Sequence, residues 1–89
     1  MQHLVSAIES LIFSSDHAIT ESDIKACLEM VTSSTITNEE IQEAIQVLKE
    51  MYNDDPSKSM EVLYISTGYR FMTKPAYQQY VGAHLKLTS

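Results

Sequence analysis

The 89-residue sequence predicts an α+β domain that is mainly helical. Three observations carry that prediction. Apolar residues recur at spacings of three and four in three successive segments. Two of those segments follow a threonine with an acidic residue three positions on, the signature of a capped helix start. Near the C-terminal end two strand-like runs meet at a glycine, and a proline follows them.

Leu4, Val5, Ile8, Leu11 and Ile12 define a first helix from about Gln2 to Ser14, closed by Ser14, Ser15 and Asp16. Ala18 and Ile19 make a short extended step. Thr20 then caps a second helix, Asp23 completing a box-like pattern, and Ile24, Cys27, Leu28 and Val31 are expected to face inward. A polar TSST stretch leads to Thr37 and Glu40, a second capping box, and to a third helix whose stripe is Ile41, Ala44, Ile45, Leu48, Met51 and Tyr52. Asn53, Asp54, Asp55 and Pro56 stop it, because proline excludes its predecessor from the helical region and cannot continue the ladder.

Glu61 to Pro75, EVLYISTGYRFMTKP, reads as a hairpin turning at Thr67 and Gly68, or through a three-residue loop ending in a left-handed Gly68. With the two-residue turn, Ser66 faces Tyr69, Tyr64 faces Phe71 and Val62 faces Thr73. On the other side Ile65 faces Arg70, Leu63 faces Met72 and Glu61 faces Lys74. Pro75 opens a short last helix with Tyr77, Tyr80, Val81 and Leu85 on one face; Gly82 weakens it and the tail KLTS is expected to fray. Helix, short strand, helix, helix, hairpin, helix is the order of a winged helix-turn-helix with a C-terminal β-hairpin wing.

Composition agrees with one folded domain spanning 1–89, with 44% apolar and 20% charged residues. No apolar run is long enough to span a bilayer, and the start lacks a basic n-region, so a cytoplasmic protein is expected. Cys27 is the one cysteine, which excludes an internal disulfide and a cysteine zinc site; its place beside Ile24 and Leu28 predicts a small core residue.

No catalytic, cofactor-binding or metal-binding set emerges. His3, His17 and His84 lack metal-ligand spacing and read as surface residues, no nucleophile elbow occurs, and two glycines cannot build a phosphate cradle. Glu39, Glu40 and Glu43 in the first turns of the third helix complement its positive end. The chain therefore reads as a non-enzyme.

Twelve acidic residues against six Lys and Arg give a charge of −6, and the polar face of the third helix carries Lys49 alone against six carboxylates. That face repels phosphate, so direct sequence-specific DNA binding is not expected, although a winged-helix DNA-binding transcriptional regulator is the alternative reading. Lys58, Arg70 and Lys74 make only a thin cationic footprint, and Arg70 is expected to lay its stem on the hairpin and pair with a carboxylate. Both hairpin faces carry large apolar residues. One closes the core against the third helix; the other, with the aromatics of the last helix, is best explained by contact with another chain, the rival being a last helix folded back over it.

Three stretches carry a resemblance: IESLIFSSDHAIT (8–20), EAIQVLKEMY (43–52) and GYRFMTKPAYQQYV (68–81). They resemble the N-terminal winged-helix domain of segregation and condensation protein B, whose pattern includes GGYRFxTKPEYxxYV. Thr67 replaces the first glycine of that pattern, and TSSTIT is an unusually polar link between the second and third helices. The resemblance implies a non-enzymatic dimeric scaffold of the bacterial chromosome condensation and segregation complex, nucleoid-associated and without cofactor. It implies binding to a kleisin subunit, segregation and condensation protein A, and through it to a structural-maintenance-of-chromosomes ATPase. Family members carry a second winged helix, so the chain is expected to be the N-terminal half of a longer protein. The matching positions and the exposed hairpin face together nominate Tyr64, Tyr69, Arg70, Phe71, Met72, Lys74, Tyr77 and Tyr80 as the dimer or partner interface.

Overall fold

A computed structural model describes residues 2–88. Helix α1 spans Gln2–Ser14, α2 Glu21–Thr32 and α3 Asn38–Tyr52; strands β1 (Met60–Ile65) and β2 (Gly68–Thr73) form an antiparallel hairpin; a 3-10 turn, Pro75–Tyr77, leads into α4, Gln78–Thr88. This is the winged-helix arrangement.

The helix starts follow from local chemistry. The Thr20 hydroxyl accepts the Asp23 amide at 3.1 Å. Before α3 the exchange is reciprocal: the Thr37 hydroxyl accepts the Glu40 amide at 3.1 Å, and the Glu40 carboxylate accepts the Thr37 amide at 3.0 Å. These bonds satisfy donors that a helix N-terminus otherwise leaves open. The core then forms where the apolar stripes converge, with Ile8, Ile12, Ile24, Ile41, Ile45, Leu48 and Val62 fully buried. Two side-chain bonds join the helices across it: the Tyr52 hydroxyl donates to Glu9 of α1, and the Gln42 amide donates to Glu21 of α2.

The hairpin packs through one face. Val62, Tyr69 and Phe71 point into the core, where the Phe71 ring stands edge-on to Tyr52 at 4.9 Å. Its edges are also engaged. Asn53, just past α3, donates its side-chain amide to the Val62 carbonyl at 2.9 Å and accepts the Val62 amide at 2.7 Å, acting as a one-residue strand partner. On the other side Ile19 and Tyr69 exchange both backbone bonds, at 2.9 and 2.8 Å, so the extended step after α1 becomes a bridge to β2.

Several expectations need correction. The turn is Ser66–Thr67, with Ser66 at φ 62°, and no glycine has positive φ. Register therefore shifts by two: Met60 faces Thr73, Val62 faces Phe71, Tyr64 faces Tyr69, Glu61 faces Met72, Leu63 faces Arg70 and Ile65 faces Gly68. A shift of two keeps every side chain on its expected face. Helix α2 buries only Ile24 and Leu28; Cys27 is exposed, and Val31 is 83% exposed because the last turn runs past the core. Met51 is likewise exposed on α3. Pro75 opens a 3-10 turn rather than α-helix, and the tail stays helical through Thr88, Ser89 lying outside the described residues.

Helix α4 stands apart. It buries no side chain, and its main contact is the 3-10 turn before it. The radius of gyration is 14.5 Å, against about 12 Å for a compact chain of this length.

Candidate interaction surface

In the winged-helix arrangement the third helix is the element that can read a DNA groove. Here its outward side presents Glu39, Glu43, Glu50 and, just beyond, Asp54, all exposed. Lys49 does not offset them, since its stem is half-buried and its ammonium lies 6.0 Å over the Tyr69 ring. The Lys74 ammonium donates to the Asp55 carbonyl at 2.8 Å, and Lys58 lies 5.7 Å over the Tyr52 ring. Arg70 is exposed and, contrary to expectation, forms no ion pair within 4 Å among the described residues; it acts only at longer range, on Asp16. Carboxylates thus dominate the face that would meet phosphate.

The apolar surface has a different distribution. Of the nominated residues, Tyr69 is spent on the protomer's own core: it is buried, backbone-paired to Ile19, and its hydroxyl accepts from Gln42 at 3.4 Å. Phe71 is half-buried beside it. Tyr64 shares their face at the open end, its ring 5.0 Å from that of Tyr69, yet most of it is exposed. Met72 and Arg70 lie on the outward face with Leu63 and Ile65. Lys74 pins the hairpin base to the loop after α3, its amide donating to the Ser59 carbonyl at 2.8 Å. Tyr77 and Tyr80 sit at the start of the last helix, rings 6.4 Å apart, exposed together with Val81, Leu85 and Leu87. The rival expectation of a last helix covering the hairpin is not met in this structure.

A second apolar feature escaped sequence reasoning. A groove of 730 Å³ runs between α1 and α3, floored by Leu4, Val5, Ala44, Val47 and Met51. The signal for it was Val47, which lies beside the core stripe of α3 with no partner assigned.

The three histidines are exposed, and His17 Nδ1 lies 2.7 Å from Asp16 Oδ1. The hydrogen bond from His17 holds the Asp16 carboxyl below the usual carboxylate range. Among the described residues no three His, Cys, Asp or Glu side chains converge as a metal site, and no helix is long and apolar enough to cross a membrane.

Comparison with known proteins agrees with this architecture. A family model described as segregation and condensation complex subunit ScpB matches residues 6–89. No curated protein matches the sequence. Among solved structures, a conserved hypothetical protein from Chlorobium tepidum is 31% identical over 90% of this chain, with a TM-score of 0.68. ScpB from Mycobacterium tuberculosis superposes over 94% of this chain with a TM-score of 0.79; at 18% identity that likeness shows the fold alone. This chain spans 46% and 48% of those two, about half of each.

Proposed function

The chain belongs to the segregation and condensation complex subunit ScpB family, and from that premise we propose that it acts as a non-enzymatic, dimeric scaffold in bacterial chromosome segregation and condensation. The observation that carries the reading is the apolar surface of the 3-10 turn and α4, where Tyr77, Tyr80, Val81, Leu85 and Leu87 are exposed, together with Tyr64 and Ile65 exposed on the hairpin. Exposed patches of this kind, centred on tyrosines, are what association surfaces supply. In this reading Tyr77 and Tyr80 of the last turn and helix, and Tyr64, Arg70 and Met72 of the hairpin, meet a second subunit. Surface beyond it binds a segment of the kleisin, segregation and condensation protein A, which links the scaffold to a structural-maintenance-of-chromosomes ATPase.

Mechanistically, two copies present a rigid platform that raises the local concentration of a bound segment and fixes its geometry. Cytoplasmic, nucleoid-associated placement follows from such partners. The acidic α3 keeps the platform from competing for DNA.

Light scattering behind size exclusion tests the proposal, first on this chain alone and then with the kleisin of the same organism. A dimer that shifts to a heavier complex supports it. A monomer that ignores the kleisin overturns it.

A further inference from the structure

The fold leaves two complementary features without a partner. One is α4, a helix of 11 residues whose exposed Val81 and Leu85 continue the stripe begun by Tyr77 at the end of the 3-10 turn. Helices shorter than about 12–15 residues are marginal in water without tertiary packing, and Gly82 in its middle weakens this one further. The helix therefore needs a surface to lie on. The other feature is the α1–α3 groove, where Val47 and Met51 are 40% and 43% exposed.

We propose that α4 of one copy lies antiparallel to α3 in the α1–α3 groove of a second copy. The inference rests on the dimer reading above and specifies where the two copies meet. Three matches carry it. The α3 stripe from Glu40 to Met51 and α4 are each about 16 Å long at the helical rise of 1.5 Å per residue. The spacing on both is three to four residues, so Tyr77 stacks against Met51, Val81 against Val47 and Leu85 against Ala44. Charge fixes the direction: Glu40 and Glu43 edge the groove, whereas the last helix has no acidic residue and carries Lys86 near its end. In the antiparallel direction Lys86 approaches those carboxylates, and the two helix dipoles also oppose.

A second copy is favoured over a foreign chain because each protomer carries both halves. Exchange of α4 in both directions closes a two-fold contact with nothing left over. In the described conformation α4 meets the turn before it and leaves its own groove open.

The test uses the whole chain with the exposed Cys27 replaced by serine. One preparation carries Val47→Cys, another Val81→Cys, and the two are mixed and oxidised. Both positions are half-exposed, so neither change threatens folding. The expected result is a cross-chain disulfide between the two preparations, absent when Met51→Cys is mixed with Leu85→Cys, which the antiparallel register holds two helical turns apart. Val47→Glu in the cysteine-free chain is expected to weaken self-association at least about tenfold, as truncation at the centre of an interface does. A disulfide that forms only when both cysteines are on one chain would place α4 in its own groove and overturn the proposal. A chain that weighs as a dimer yet gives no Val47–Val81 product overturns this docking while leaving the dimer reading intact, and a monomer at every concentration overturns both.

Discussion

A methyl group added at Gly68 would lie 2.7 Å from the Ile19 carbonyl oxygen and 2.9 Å from the Ala18 carbonyl carbon, whereas at Gly82 nothing lies within 4 Å. The obstructing atoms at Gly68 are backbone, held by the Ile19–Tyr69 bridge, so they cannot rotate away. Gly68→Ala is therefore expected to cost about 2 kcal/mol, in the range of overpacking. Gly82→Ala should instead increase helix content, by about 0.8–1 kcal/mol of local propensity. Thermal melts and circular dichroism on the pair check this, and destabilisation by Gly82→Ala would show that the position is covered. Asn53 poses a similar test. Asn53→Ala strands both backbone groups of the fully buried Val62 and should cost about 2 kcal/mol, since each unsatisfied group carries a desolvation penalty. A change in melting temperature of only a degree or two would mean water replaces the side chain without loss. The sequence marks Gly68 as special, but a turn and a close approach read alike, and only the position of Ile19 separates them.

At the scale of elements, the helix starts were legible because a capping box is written within four residues, while the hairpin register was not. Register depended on Ser66 accepting φ 62°, which residue type alone does not announce. The inward side of α2 was half legible: the stripe gave Ile24 and Leu28, but how far the helix overhangs is set by its neighbours. The capping box also sets an acid response. Bonds from the Thr37 amide, then its hydroxyl, hold the Glu40 carboxyl below its ordinary value; those from the Ser57 hydroxyl, then its amide, do the same for Asp55. A carboxyl depressed on folding adds stability that is complete above its unfolded pKa and is lost as pH falls through the folded one. Stability is thus expected to be flat above about pH 5 and to drop below about pH 4. Glu40→Gln keeps an acceptor but cannot titrate, so its melting temperature should fall less steeply between pH 5 and pH 3. Parallel slopes in the two proteins would remove Glu40 from the account. Thr37→Ala, which deletes the cap and the hydroxyl's bond to the Glu40 carboxylate, is expected to cost about 1 kcal/mol above about pH 5 and less in acid.

For the whole molecule, the two-faced hairpin showed in the sequence that more apolar surface exists than one small domain can hide, yet its destination did not. Face membership depends only on alternation, whereas which face points inward depends on Tyr52 and α3 meeting Phe71. The groove between α1 and α3 is a property of their packing and has no local signature. The division of labour that results is testable by removal. Among the described residues the largest fully buried side chains lie between Ile8 and Val62, and α4 contributes none, so a chain ending at Tyr77 should retain its cooperative melt within a few degrees. The same truncation removes Val81 and Leu85 from the proposed contact and should leave a monomer by light scattering. A truncated chain that no longer melts cooperatively would show that α4 supports the protomer itself; one that stays dimeric would transfer the interface to the outward face of the hairpin.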